Sequence, residues 1–406
     1  MTAHLSDADR DALRVLTRLA IFFVTLAGIG YVFTIAWVRP IPRDASTLVI
    51  GRDFLNFWFY GQAAFAPNPG RFYDPAIYNA LLEGLLGPGY PGQNWSYPPS
   101  FLLLTAPFGL MPYLPALALW TAFGVAMFVA LAGRHLDRRA LLVIMLSPAA
   151  VFCLISGQTS LITAAALIGA FVWLDRRPVL AGVLIGLVTI KPQLGLMIPV
   201  MLIASRRWIV FTSASATALL LAGLTTALFG WQAWLDYIRL GLPTQNLVLF
   251  DPSVRAAPFM PTIFMNAHAI GASYELAMAI QLCFTLAAIG AVHWAFRFHS
   301  KADPLLLMGL FFACMVFGAP YLLVYDTLAL TVAAVALLAA GRLDGVGRRL
   351  MQLVYWLPLI QMVLGTWYVP GAALIAPAFA FYAVMRLRAE GGAETTPAYE
   401  LRRRSA

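Results

Sequence analysis

Residues 304–340 read PLLLMGLFFACMVFGAPYLLVYDTLALTVAAVALLAA, and Asp326 is the lone charged residue among them. No polar face recurs at helical spacing, so neither half reads as the surface helix of a soluble fold. Gly318 and Pro320 interrupt the run, and each half approaches the roughly 20 apolar residues that cross a bilayer. It therefore reads as two membrane spans, 304–319 and 321–340. Outward from it lie runs of the same kind at 19–38, 112–133, 140–156, 159–174, 179–190, 194–204, 209–229, 274–297, 350–366 and 371–387. The expected fold is an all-α polytopic membrane protein of about 12 transmembrane helices (10–13), several of them short enough to need tilt or extension. Residues 101–110 are apolar but too short to span, and are expected as a re-entrant or interfacial segment.

Composition agrees. Of 406 residues, 61% are apolar and 11% charged, with a mean hydropathy of +0.79, too little charge to clothe a soluble protein of this size. The net charge of +9 is arginine-rich, with Lys191 and Lys301 the only lysines. Its clusters between apolar runs follow positive-inside topology rather than a nucleic-acid surface. With the N-terminus inside, 20 of the 27 basic residues fall on inner segments. Arg39, Arg43, Arg52, Arg71, Lys191, Arg239 and Arg255 remain outside.

This organisation gives an inner segment 1–18, one membrane domain 19–387, and an inner, disordered tail 388–406 whose arginines suit a weak anionic-lipid contact. Asp7, Asp9 and Asp11 in the leader, and the lack of a small-residue cleavage site, mark the first run as a retained anchor. Cys153, Cys283 and Cys314 lie in apolar runs without metal or disulfide spacing and read as small core residues. The outer loops 39–99 and 230–273 are the long ones, so the working end faces away from the cytoplasm, on a cell membrane.

Twelve aromatics fall between Phe54 and Tyr97. Phe54, Phe57, Trp58 and Phe65 recur at helical spacing, which predicts an interfacial helix over 54–65. Asp53 before it suits either a helix N-cap or a general base taking a proton from an attacking hydroxyl; the two readings can coexist. Asp74–Pro75 and Asp303–Pro304 read as helix starts, Asp251–Pro252 as a looser one, and Glu83 as a solvated residue of a short helix over 76–86.

A series of motifs then accumulates in order. Asp53-Phe-x-x-Phe-Trp with Gly61, Phe72-Tyr73-Asp74, and Trp95-Ser96-Tyr97-Pro98-Pro99 are followed by Gly157-Gln158, Lys191-Pro192-Gln193-Leu194-Gly195 and Arg206-Arg207-Trp208. Over roughly residues 45–340 this resembles glycosyltransferase family 87, which is similar to other membrane glycosyltransferases of the GT-C type. The resemblance implies a GT-C-like bundle, a hexose donor on polyprenyl phosphate, most often mannose, and an acidic base in the first outer loop. Asp53 is the matching position. A lipid-borne donor also implies a lateral groove at the outer leaflet, which the aromatics of 54–65 are expected to line.

Lys191, at a membrane boundary, suits either a snorkelling anchor or a contact to the leaving phosphate. Arg52 and Arg255 suit the same phosphate or lipid headgroups. Asp326 inside its apolar run is a substrate contact or the partner of an arginine. His268 is a substrate contact or a satisfied interfacial histidine; Tyr97, Gln158 and Asn246 are candidate sugar contacts. No paired outer carboxylates suggest a metal, no cofactor is implied, and no nucleotide motif or inner domain points to a nucleotide sugar. The expected activity is inverting hexosyl transfer from polyprenyl phosphate to a lipid or glycan hydroxyl on the outer side. A transporter or flippase is the alternative, disfavoured by charges at span ends and the absence of a repeat. A non-catalytic assembly subunit, which would tolerate Asp53→Asn, is a third.

Overall fold

The computed structural model describes residues 6–37, 41–91, 93, 95–251 and 253–394. Arg39, Pro252 and the tail with Arg402, Arg403 and Arg404 lie outside the described residues, and with them the expectations placed there.

The described residues are α-helical, with short 3-10 turns, one π-turn and no β-strand. The chain opens with α1 (Asp7–Thr34). The first long loop holds α2 (Phe54–Ala63) and α3 (Pro75–Leu86) and leads to α4 (Phe101–Gly109) and α5 (Tyr113–Leu131). Then come α6 (Arg138–Met145), α7 (Pro148–Ser156), α8 (Ser160–Trp173), α9 (Pro178–Leu187), α10 (Ile198–Ala204) and α11 (Trp208–Phe229). The second long loop carries α12 (Gln232–Asp236), α13 (Leu242–Phe250) and α14 (Ile263–Ala269). The chain continues through α15 (Tyr274–Phe298), α16 (Pro304–Gly318), α17 (Leu328–Ala339), α18 (Gly345–Thr366) and α19 (Ile375–Glu394).

Every apolar run of the sequence contains a helix, but the helices are not equal. Among the described residues five segments are long and apolar enough to cross a membrane: α1, Tyr113–His135, α11, α15 and Pro370–Glu390. α6 and α7 make a sixth if taken as one span bent by 54°. The bend falls where Pro148 cannot continue the helical ladder and the Ser147 side chain caps α7 by accepting from Ala150 N–H. α1 and α11 turn most of their apolar residues outward, as helices facing hydrocarbon do. Cys283 on α15 is exposed too, so it is no core residue; Cys153 and Cys314 are buried.

The run 321–340 is not one helix. Residues 319–323 are non-helical, a 3-10 turn covers Val324–Thr327, and α17 supplies only 12 residues. At 1.5 Å per residue α17 reaches about 18 Å, well short of a bilayer's roughly 30 Å core. α8, α16 and α17 are instead buried almost throughout, at the centre of the largest apolar core. Irregular backbone at such depth is tolerated where protein encloses it or a cavity needs it.

The 54–65 segment forms the helix Phe54–Ala63, but its aromatic side chains pack into protein. Phe54, Leu55, Phe57, Phe59 and Tyr60 are each at most 3% exposed, in an aromatic core of their own. α2 crosses α4 backbone to backbone at Gly61 and Gly109: a Cβ on Gly109 would stand 2.0 Å from the Gly61 carbonyl carbon. With no side chains at the crossing, α4 can cover α2. Asp74 and Asp303 do start helices, accepting from Ala76 and Leu305 N–H with proline at the first helical position.

Candidate active site

Two local devices bring the polar residues together. The first is the end of α7. Gly157 sits in the left-handed region (φ 62°), and the bonds Gly157 N–H to Leu154 O and Gln158 N–H to Cys153 O close a Schellman turn. A Cβ at Gly157 would come within 2.5 Å of Phe54 Cβ, so only glycine lets α7 end against α2. Trp120 fixes the same turn by donating Nε1–H to Gly157 O at 2.8 Å. Gln158 is thereby delivered beside Asp53.

The second device is the aromatic loop. Tyr60 stacks on Trp95 at 3.7 Å between centroids. The Tyr60 and Tyr73 hydroxyls both donate to the Tyr97 carbonyl, at 3.0 and 2.6 Å. The Tyr97 backbone is thus pinned, and its own hydroxyl donates to Gln158 Oε1 at 3.0 Å. Thr159 N–H also donates to that oxygen, which fixes the amide orientation: Nε2 must face Asp53, and it donates to Oδ2 at 3.0 Å.

Asp53 spends its carboxylate on this network and not on a cap; no side-chain bond to the α2 terminus forms. Oδ2 also accepts from the Tyr325 hydroxyl at 3.1 Å, while Oδ1 accepts nothing among the described residues. Burial pushes the Asp53 carboxyl above the usual carboxylate range, against hydrogen bonds from Gln158 and Tyr325 and the charges of Lys191 and Arg52. Such a carboxylate is a stronger base than a solvated one.

Lys191 sits between α9 and α10, where Pro192 keeps the residue before it out of the helical region (φ −134°, ψ 74°). It does not snorkel. Its side chain is 4% exposed, with the ammonium 2.6 Å from Asp326 Oδ1 and 5.0 Å from the centre of the Tyr325 ring. Asp326 thus pairs with a lysine, not an arginine, and Ser160 Oγ–H donates to the same oxygen at 2.7 Å. Among the described residues the ammonium makes one hydrogen bond, which leaves two of its N–H donors.

Asp53, Tyr97, Gln158, Lys191, Tyr321 and Tyr325 face one cavity of about 340 Å3. Asp326 stands behind Lys191, outside that lining. Pro192, Gln193 and Tyr321 are shared with a neighbouring apolar groove of about 570 Å3 between α9, α10 and α11. The aromatics of α2, expected to line a lateral groove, do not line this one. Arg52 is held by Asp44 at 2.7 Å and faces a different cavity across Tyr325. Arg255 and Asn246 are exposed away from the cavity; Gln245, one residue before Asn246, lines it instead. His268 bonds the Ala272 carbonyl beside a small satellite core and does not line that cavity. Tyr325, Tyr321, Gln193 and Gln245 were not foreseen. For Tyr325 the signal was its place beside Asp326 in an otherwise apolar run.

A carboxylate and a caged ammonium thus share one cavity among helices of membrane type. The sequence model of glycosyltransferase family 87 matches residues 95–325, more than half of the chain, and the chain belongs to that family. It is therefore a glycosyltransferase with membrane helices. The matched segment holds Tyr97, Gln158, Lys191 and Tyr325 and begins after Asp53. No curated protein and no solved structure matches the chain.

Proposed function

We propose that the protein transfers a hexosyl residue, mannose in the first instance, from a polyprenyl-phosphate carrier to a hydroxyl of a lipid or glycan acceptor on the outer face of a cell membrane, within a GT-C-like bundle of helices. The observation that carries it is that the Asp53–Lys191 cavity and the apolar groove adjoin, with Pro192, Gln193 and Tyr321 in the walls of both. A donor whose sugar and phosphate are polar and whose carrier is hydrocarbon needs such a pair of adjoining spaces.

In this reading Asp53 takes the proton from the acceptor hydroxyl as that oxygen attacks the anomeric carbon. The bond from that carbon to the phosphate oxygen breaks, and the electron pair leaves with the phosphate. Lys191, with two N–H donors to spare, offsets the charge developing there. One displacement at the anomeric carbon inverts its configuration. Gln158 and Tyr325 hold Asp53, and Tyr97 holds Gln158. Of the cations read from the sequence, Lys191 alone keeps the phosphate role.

The test is turnover of labelled polyprenyl-phosphate sugars by purified protein in detergent–lipid micelles with a lipid extract. Wild type is expected to release polyprenyl phosphate and form a labelled product, and folded Asp53→Asn to do neither. Equal turnover by both would remove Asp53 from catalysis; no turnover with any sugar would overturn the donor assignment.

A further inference from the structure

Three turns that the sequence reads as inner connections meet at one end of the bundle: 133–137 after α5, 174–177 after α8 and 205–207 before α11. Trp173, the last residue of α8, joins the first two. The Arg134 guanidinium carbon lies 4.7 Å from the centre of its ring, and that of Arg177 lies 5.9 Å away. Arg207 joins the third turn by binding the Asp175 carboxylate through both terminal nitrogens. α8 runs from the Gln158 end, at the Asp53 cavity, to this one, so the meeting point lies a helix length from that cavity.

Charge there is out of balance. The three turns hold five arginines and two aspartates. Asp175 is taken by Arg207, and Asp137 spends its carboxylate on the first N–H groups of α6. Among the described residues no carboxylate pairs with Arg134, Arg176, Arg177 or Arg206. Arg134 gives its Nε–H to His135 Nε2 at 3.0 Å, and its terminal nitrogens donate to nothing among the described residues. The first N–H groups of α9 and α11 have no side-chain cap, so further donors stand at the same patch. Two guanidiniums against one ring repel each other, and a bound anion would offset that repulsion.

We propose that these turns form a binding site for an anionic phospholipid, with its phosphate beside Trp173 at Arg134 and Arg177. Arginine presents a planar fork of N–H donors that matches phosphate oxygens. The patch also borders hydrocarbon. Val179 lies two residues beyond Arg177, and Trp208 and Ile209 follow Arg207 directly; all three are exposed. A tryptophan beside arginines at a helix start suits the headgroup level of a bilayer. Free phosphate or a nucleic-acid strand would leave that apolar border bare, whereas the acyl chains of a lipid cover it. Basic patches between membrane helices on the inner side suit lipid headgroups for this reason. The bound lipid ties the ends of α5 and α8 to the starts of α9 and α11. None of these residues lines the Asp53 cavity, so the site stands or falls independently of the transferase reading.

The test titrates delipidated full-length protein in a neutral detergent with dioleoyl phosphatidylglycerol, dioleoyl phosphatidylcholine and glycerol phosphate. Native mass spectrometry reads bound ligand, and thermal melting reads folding. Wild type is expected to bind phosphatidylglycerol more tightly than either of the others, and to melt at a higher temperature with it. Arg134→Gln with Arg177→Gln should weaken phosphatidylglycerol by about tenfold or more and leave phosphatidylcholine unchanged. Arg10→Gln with Arg14→Gln removes the same charge from the start of α1, where each arginine pairs with an aspartate, and should leave binding unchanged. Arg177→Gln alone, at an exposed side chain, carries the test should the first pair not fold. Equal binding of the two lipids by wild type would overturn the proposal. Equal losses in the two double variants would do so too, by reducing the effect to net charge. Glycerol phosphate bound as tightly as the lipid would also sink it, by making the site one for a soluble anion.

Discussion

Asp53 stands at the entrance of a helix, yet its carboxylate accepts from Gln158 and Tyr325. Both bonds favour the charged form and so oppose the upward push of burial. If Asp53 is the base, kcat/KM rises with pH through its pKa, above the usual carboxylate value of about 4. Tyr325→Phe removes a bond to the carboxylate, raises that pKa further, and should move the acid limb of kcat/KM to higher pH. Gln158→Leu should do the same. A limb that stays in place in both variants would mean that Asp53 does not set it. Lys191 and Asp326 make a different case, since both charges are nearly fully enclosed. Lys191→Met strands a buried carboxylate and should cost about 3–5 kcal/mol of stability along with turnover. Lys191→Met with Asp326→Leu removes both charges and should restore most of the thermal stability but not the turnover. Recovery of turnover in the double variant would deny Lys191 its phosphate role.

At the scale of elements, the site depends on where backbones touch. Gly157→Ala asks a left-handed residue to carry a Cβ, at about 1–2 kcal/mol, and presses it on Phe54. It should lower the melting temperature and also turnover, because Gln158 is the next residue; unchanged turnover would show that the turn does not position Gln158. How legible this was from sequence divides along the same lines. Local chemistry was readable: Asp–Pro starts gave α3 and α16, aromatic spacing gave α2, and apolar runs each gave a helix. Partners distant in the chain were not. Nothing in one sequence pairs Lys191 with Asp326, or sets Tyr325 on Asp53, and both bonds are made by a 3-10 turn inside a run that reads as an unbroken span. The burial of α2 was hidden for a related reason: an aromatic helix bound for an interface and one bound for a core share a composition, and the Gly61–Gly109 crossing decides between them.

At the scale of the molecule, charge sets an orientation that the helices can test. Arg348 with Asp9 ties α18 to the start of α1, Arg342 with Asp303 ties the α17–α18 connection to the start of α16, and Arg386 with Asp344 ties α19 to the start of α18. One end of the bundle therefore carries a belt of ion pairs. α1 has 28 residues, about 42 Å at 1.5 Å per residue, enough to carry the chain across a bilayer from that end. The loop with Asp53 follows its far end. If arginine-rich segments stay inside, the belt is cytoplasmic and the cavity faces out. Glu83 on α3 and Lys301 between α15 and α16 are both exposed, and they report the two ends. In a background with Cys153, Cys283 and Cys314 replaced by alanine, Glu83→Cys should react with a membrane-impermeant maleimide in intact cells. Lys301→Cys should react only after permeabilisation. The reverse pattern would turn the cavity inward, where a cytoplasmic donor would have to replace the outer-leaflet polyprenyl carrier proposed above.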